Sequence, residues 1–244
     1  MKIGICRLSA IPVRAQASHR SELVNQLLYG ESYFVTEETD DWYKIQGISD
    51  SYEGWIAYGQ FFESEDETRN IVLSSEGQSL FTHLGLVHLP LGALLTQKEA
   101  DALNFTPKTH SALADFAYLF IGTPYLWGGR SKAGIDCSGL VQVCLKLSGL
   151  NFPRDAKDQA ESKMLEKVDF IQTAQAGDLA FFDNEEGKII HVGILSGPNS
   201  IIHASHYVRE DKIDSYGIYN ETRKGYSHKL RFIQRLKAGL ISNL

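Results

Sequence analysis

The hydrophobic pattern of this 244-residue chain changes period near Thr109, and that change limits the folds open to it. Before it, short runs rich in aromatic and β-branched residues (Ser32-Tyr33-Phe34-Val35-Thr36, Trp42-Tyr43-Lys44-Ile45, Gly54-Trp55-Ile56-Ala57) are punctuated by Gly30, Asp40-Asp41 and the stretch 47–50. Short β-rich runs bounded by turn formers read as strands of a small barrel with tight turns. After it, Ala112, Leu113, Phe116, Ala117 and Phe120 recur at three- and four-residue steps, one face of an amphipathic helix ending before Gly122. A second helical stripe, Leu140, Val141, Cys144, Leu145 and Leu147, stops at Gly149. Residues 178–183, 189–195 and 200–205 then read as three strands. The expected organisation is α+β: a small β-barrel over residues 1–65, a connecting region over 66–108, and a helix-plus-antiparallel-sheet domain over 109–244. The acidic stretch Glu63-Ser64-Glu65-Asp66-Glu67 marks the exit from the first domain. The apolar segment 81–95, broken by Gly85, Pro90 and Gly92, carries no period that assigns it a structure.

Composition narrows the function classes. Lys+Arg number 24 against 30 Asp+Glu, a net charge of −6, and no basic run is present that can track phosphates, so no nucleic-acid partner is expected. The longest apolar stretch, 84–95, contains His88 and Pro90 and falls short of the roughly 18 residues of a membrane span. Lys2, Arg7 and Arg14 flank no apolar run of signal-peptide length. These features predict a soluble, cytoplasmic protein with no membrane partner; they leave the oligomeric state open. Three cysteines imply no disulfide framework, since Cys137 and Cys144, seven apart on a helix, are separated by about 10 Å along its axis.

The unusual local sequence is Gly134-Ile135-Asp136-Cys137-Ser138-Gly139. Asp136 is placed as the N-cap of the second helix, so Cys137 falls in its first turn, where unpaired N–H groups and the helix dipole favour a thiolate. A thiolate nucleophile needs a base, and the base needs a third group to fix its ring. His191 and His203 lie on the expected strands, 54 and then 12 positions on (191 − 137 = 54; 203 − 191 = 12). One strand, a turn and the next strand can set them side by side.

Six segments then occur in one order: Gly122-Thr123-Pro124-Tyr125-Leu126-Trp127-Gly128-Gly129, Asp136-Cys137-Ser138-Gly139-Leu140, Pro153-Arg154-Asp155, Gly177-Asp178-Leu179-Ala180-Phe181-Phe182, His191-Val192-Gly193-Ile194 and Ile202-His203-Ala204-Ser205. In these the second half, over roughly 109–235, resembles the NlpC-type family of bacterial cell-wall cysteine peptidases, which are papain-like. The resemblance implies Cys137 as nucleophile, His191 as general base, His203 as the group orienting His191, and Tyr125 as a partner of the Cys137 N–H in the oxyanion hole. The first half is similar to the bacterial SH3-like domain of family members that act on freed wall peptides, γ-D-glutamyl-L-diamino acid endopeptidases. There the resemblance implies an acceptor set for the α-ammonium of an N-terminal L-alanine: Glu31 after Tyr29-Gly30, Tyr52 before Glu53-Gly54-Trp55-Ile56, with Tyr43 competing for the tyrosine role, and Asp155. Asp136, Ser138 and Trp127 complete the substrate-side candidates.

The implied reaction is hydrolysis of the bond between γ-D-glutamate and a diamino acid in murein peptides that begin with L-alanine, in cell-wall peptide recycling. No metal or organic cofactor is expected. Three other readings stand beside it. The same Cys-His-His constellation permits another amidase or an acyl transfer. A wall-peptide-binding module without turnover is a second. A zinc site of Cys137, His191 and His203 is a third, against which both spacings are long for zinc ligand pairs.

Overall fold

A computed structural model describes residues 2–64, 67–106 and 112–240. Glu65 and Asp66 of the acidic stretch, and Thr109, where the helical period begins, lie outside the described residues. The chain divides into two compact units, one of Met1–Lys108 with Trp127–Lys132, the other of Thr109–Leu126 with Ala133–Leu244.

The first unit is built on six antiparallel strands: β1 (Ile3–Ile5), β2 (Ala10–Arg14), β3 (Leu23–Leu28), β4 (Ser32–Glu38), β5 (Trp42–Gly47) and β6 (Glu53–Ala57), in the order β1-β4-β5-β6-β2-β3. Strand alternation sends Ile11 and Val13, Tyr43 and Ile45, and Ile56 to a common core with Cys6, Leu27 and Tyr33. The connecting region has structure of its own. Strands β7 (Ile71–Val72) and β10 (Leu94–Leu95) pair, β8 (Ser79–Thr82) and β9 (Gly85–His88) form a hairpin, and α1 (Gln97–Ala102) follows. Thr96 and Glu99 close a reciprocal capping box on α1. A second small core of Leu73, Val87, Leu89, Ala93, Leu95 and Ala100 gathers around Tyr29. Strands of two to four residues show no readable period, which is why this segment was opaque in the sequence. Strand β11 (Arg130–Ser131) ends the unit; Gly128 before it has φ +76, and a Cβ there would run into the Leu23 carbonyl.

The second unit contains α2 (Leu113–Tyr118), β12 (Gly134–Ile135), α3 (Cys137–Leu147), α4 (Ala156–Ala160) and seven strands: β13 (Leu165–Val168), β14 (Leu179–Asp183), β15 (Ile189–Gly197), β16 (Ser200–Ser205), β17 (Tyr207–Ile213), β18 (Gly217–Asn220) and β19 (Gly225–Leu236). Their order is β13-β19-β14-β15-β16-β17-β18, and β18 also pairs with β19, so β14 to β19 close a ring with β13 outside it. Ala180, Phe182, Leu195, Ile201, Ile213, Ile218 and Ile233 fill one shared core cluster. The three strands read from the sequence are β14, β15 and β16. Helix α3 is buried along its whole length and packs on β15. It ends where Gly149 takes φ +79, a left-handed C-terminal position that glycine adopts at no steric cost. Among the described residues no helix is long and apolar enough to cross a membrane.

Candidate active site

The site starts at the N-terminus of α3. Asp136 has extended backbone, and its carboxylate accepts the Gly139 N–H at 2.7 Å, leaving Cys137 as the first helical residue. Arg154 grips the same carboxylate with two arms, Nη1 to Oδ1 at 2.9 Å and Nη2 to Oδ2 at 2.6 Å. Nη1 also donates to Ser138 Oγ at 2.9 Å, and Gln159 Nε2 donates to the Ser138 carbonyl at 2.9 Å and to that of Pro153 at 2.8 Å. Both members of the ion pair are buried. The cap is therefore held from below by a charge-assisted fork, which fixes the backbone that carries the thiol.

Burial pushes the Cys137 thiol up to about 12, with the negative charge of Asp136 acting in the same direction; N–H groups of Val192 and Ser138 and the Arg154 charge oppose it without winning. Burial thus works against the thiolate that the helix terminus favours. The dipole acts on a group that is only 7% exposed, and in so dry a position the desolvation of a charged sulfur outweighs it.

His191 stands on β15 opposite Phe182 of β14, and His203 on β16, both directed to the same face as the core cluster. Their rings meet edge to face, with His191 Nε2 and His203 Nδ1 2.8 Å apart. Gly193 makes that approach possible: a Cβ there would sit 2.9 Å from the His203 Cβ and 2.7 Å from Ile201 Cδ1. The other His203 nitrogen, Nε2, lies 3.1 Å from Asp211 Oδ2, and Arg209 Nε donates to the same oxygen at 2.8 Å. Burial raises the Asp211 carboxyl, but the His203 hydrogen bond and the Arg209 charge outweigh it and hold the group below the ordinary range. An ionised Asp211 only accepts, so His203 carries its proton on Nε2 and presents a lone pair at Nδ1. His191 then donates from Nε2, and its Nδ1 is left as the basic nitrogen. Burial holds both imidazoles below their ordinary range, His191 far below it.

Tyr125 is set by backbone pairing with the start of β17: its N–H donates to the His206 carbonyl at 2.9 Å, and Pro124 bridges to Tyr207. Burial raises its phenol, and the charges of Cys137 and Asp136 add to the effect, which places the ring within electrostatic reach of the thiol. Asp155 occupies the N-cap position of α4 without a side-chain cap bond, half-buried, with its carboxyl raised by burial.

The remaining candidates belong to the first unit. Glu31 is 3% exposed, and its carboxylate takes a two-armed ion pair from Arg130, at 2.9 and 3.0 Å, plus the Leu28 N–H at 2.8 Å. Tyr52 is half-buried at the foot of β6, its N–H donating to Asp50 Oδ1 at 3.0 Å. Tyr43, its competitor, turns its hydroxyl to Glu38 at 3.2 Å and stacks on Tyr58. Trp127 is 59% exposed.

Four residues were missed. Arg154 is the middle residue of Pro153-Arg154-Asp155, of which the sequence reading singles out only Asp155, and Gln159 lies four residues beyond that segment. Asp211 sits two residues beyond the strand partner of His203, a spacing that period-two reading of β17 would expose. His228 on β19 stacks on His191 at 4.1 Å between ring centroids and 22° between planes; nothing in its surroundings in the sequence marks it.

Residues 122–229 match the NlpC/P60 family and residues 9–61 the bacterial SH3 domain. A gamma-D-glutamyl-L-lysine dipeptidyl-peptidase of Bacillus subtilis is 30% identical over 213 residues, covering 73% of this chain and 71% of the relative. The chain belongs to the NlpC/P60 family. Dipeptidyl-peptidase 6 of Lysinibacillus sphaericus is 27% identical over 234 residues, 78% of this chain and 83% of the relative. In fold, an NlpC/P60 family protein from Bacillus cereus superposes with a TM-score of 0.72 at 18% identity, over 94% of this chain and 99% of that one. NlpC/P60 membership makes the protein a cysteine-type peptidase, and the α+β reading of an SH3-like barrel followed by a papain-like domain stands.

Proposed function

We propose that this NlpC/P60 peptidase hydrolyses the γ-D-glutamyl–diamino acid bond of murein peptides with a free N-terminal L-alanine, in cell-wall peptide recycling. The observation that carries the chemistry is the continuous chain His191–His203–Asp211, at 2.8 and 3.1 Å, with a thiol on a capped helix terminus that accepts the N–H of Val192, the residue after His191. The similarity to gamma-D-glutamyl-L-lysine dipeptidyl-peptidases of Bacillus and to dipeptidyl-peptidase 6 of Lysinibacillus sphaericus supports the substrate class. Glu31, Tyr52 and Asp155 are the residues to which the resemblance gives recognition of the α-ammonium.

Sulfur attack on the glutamyl γ-carbonyl and proton transfer from the Cys137 thiol to His191 Nδ1 occur together, because neither a free thiolate nor an imidazolium is favoured in the dry site. The imidazolium is stabilised while it lasts by its Nε2–H bond to His203, whose own proton is anchored on Asp211. The Tyr125 hydroxyl and the Cys137 N–H receive the developing oxyanion. An imidazole whose basicity is depressed by burial gives its proton up readily, so the diamino acid leaves as a neutral amine with the bond N–C broken and N–H formed. Water then attacks the thioester, His191 takes its proton, and Cys137 is regenerated.

Mass spectrometry of L-Ala-γ-D-Glu-diaminopimelate incubated with the protein tests this reading, beside the N-acetylated peptide and the Cys137→Ala variant. Release of L-Ala-γ-D-Glu only from the free-amine peptide, and only with Cys137 present, is the expected result. Cleavage by Cys137→Ala would overturn the mechanism, and equal rates on both peptides would remove the ammonium gate.

A further inference from the structure

Three rings among the described residues pack against the His191 imidazole, and they meet it differently. Phe182 lies tilted to it, with centroids 5.6 Å apart and planes at 47°, and His203 meets it edge to face. His228, from β19, lies face to face with it, at 4.1 Å and 22°. We propose that His228 is a positioning residue of this peptidase, whose ring face fixes the plane of the His191 imidazole and so the direction in which its Nδ1 lone pair points. The catalytic consequence rests on the reading of His191 as the base; the fixing of the ring does not.

The hydrogen bond to His203 pins one atom of His191, Nε2, at 2.8 Å. The torsion about the Cβ–Cγ bond of a histidine is broad and roughly two-fold, so one pinned atom leaves the plane, and with it Nδ1, able to swing. A flat ring laid against the face opposes that motion, because turning His191 out of the stack drives its edge into His228. Parallel faces also have the most contact to lose on turning, more than the tilted Phe182 or the edge-on His203 can offer.

Strand β19 is shaped to deliver this face. Against β18, Ile218 pairs with His228 and Tyr219 with Tyr226, so Ser227 is an extra residue; against β14, Phe181 pairs with Phe232 and Phe182 with Leu230, so Arg231 is a second. His228 lies between these two bulges, which interrupt strict alternation and re-aim neighbouring side chains. Gly217 of β18 has φ +142, and a Cβ there would run into the His228 carbonyl, so only a glycine lets β18 close on this stretch. Ser227 Oγ stands 2.9 Å from His228 Nδ1 and ties the ring to its own strand. Charge agrees with the role. Burial, the largest cause, brings His228 down to about 4, so a neutral ring and not a second cation faces His191 when it takes a proton in the reaction.

His228→Phe and His228→Leu test the proposal, because both fill the space beside His191 and only phenylalanine offers a flat face; His228→Gln is the substitute if the leucine variant does not fold. The kcat and KM are measured on L-Ala-γ-D-Glu-diaminopimelate. The leucine variant should lose about tenfold or more in kcat with KM within about twofold of the wild type, and phenylalanine should restore kcat to within about threefold. A second readout needs no substrate: exchange of the His191 Nε2–H proton with water, followed by NMR in the resting protein and assigned by its absence from His191→Gln. That exchange should speed up about tenfold in His228→Leu and stay near the wild-type rate in His228→Phe. Equal kcat, or equal exchange, in the two variants would overturn the proposal, since a merely space-filling role is served by either residue and a role for an imidazole nitrogen by neither. A rise in KM alone would overturn it as well, by making His228 a substrate contact. If the wild type cuts no murein peptide, the substrate reading falls while the exchange rates still decide whether the stack fixes His191.

Discussion

Arg154 holds both carboxylate oxygens of Asp136, at 2.9 and 2.6 Å, one residue before Cys137, and neither side chain reaches solvent to any extent. Replacing Arg154 with Met leaves a buried carboxylate uncompensated. The expected cost is about 3 kcal/mol or more of stability, measured by urea denaturation, together with loss of activity. Adding Asp136→Asn to Arg154→Met should recover part of the stability. A single variant as stable as the wild type would show that the pair does not hold the helix cap.

Gly193 is the position at which β15 admits His203. Gly193→Ala should push His203 away from His191 and lower kcat at least tenfold while KM changes little, with an unchanged circular dichroism spectrum. A variant with wild-type kcat would mean that the 2.8 Å contact is not needed for turnover.

Asp211 acts through His203 and is a positioning residue. Asp211→Asn removes the charge that keeps the His203 proton on Nε2, so the His191–His203 bond loses its preferred direction. The expected result is a fall in kcat of at least tenfold and an altered pH profile of kcat, with KM near normal. Loss of KM alone would point to a structural role for Asp211.

With its thiol pushed up to about 12, Cys137 should be alkylated by iodoacetamide at a rate rising about tenfold per pH unit from pH 7 to pH 10 in the resting protein. A plateau reached below pH 8 would instead show a standing thiolate–imidazolium pair.

Acid should destabilise the fold through the same histidines. Burial holds His228 near 4, while in the unfolded chain a histidine titrates near 6.5. Between those values the unfolded state binds more protons than the native state. Stability is therefore fully present above about pH 6.5 and falls as the pH drops towards 4. The melting temperature of His228→Phe should fall less than that of the wild type between pH 7 and pH 4.5. Parallel pH dependences would remove His228 from this linkage.

The site was legible in the sequence wherever its members are fixed by local rules. Asp136 caps because its short carboxylate reaches the Gly139 N–H, and that alone puts Cys137 in the first turn of α3. His191 and His203 lie on adjacent strands of a tight hairpin, so their separation of 12 constrains them to be neighbours. Asp211 was within reach of the same alternation one strand further on.

What remained hidden depends on strand order and solvent. His228 reaches His191 because β19 closes the ring against β18 and β14, a pairing that no local pattern encodes. Arg154 and Asp136 are 18 positions apart and meet only because α4 and α3 pack together. The charge state of the nucleophile is the clearest case. The sequence determined that a cysteine stands at a capped helix N-terminus, where local electrostatics favour a thiolate. Only the tertiary structure decided how dry that position is, and burying a charged sulfur there works against the helix dipole and pushes the thiol up.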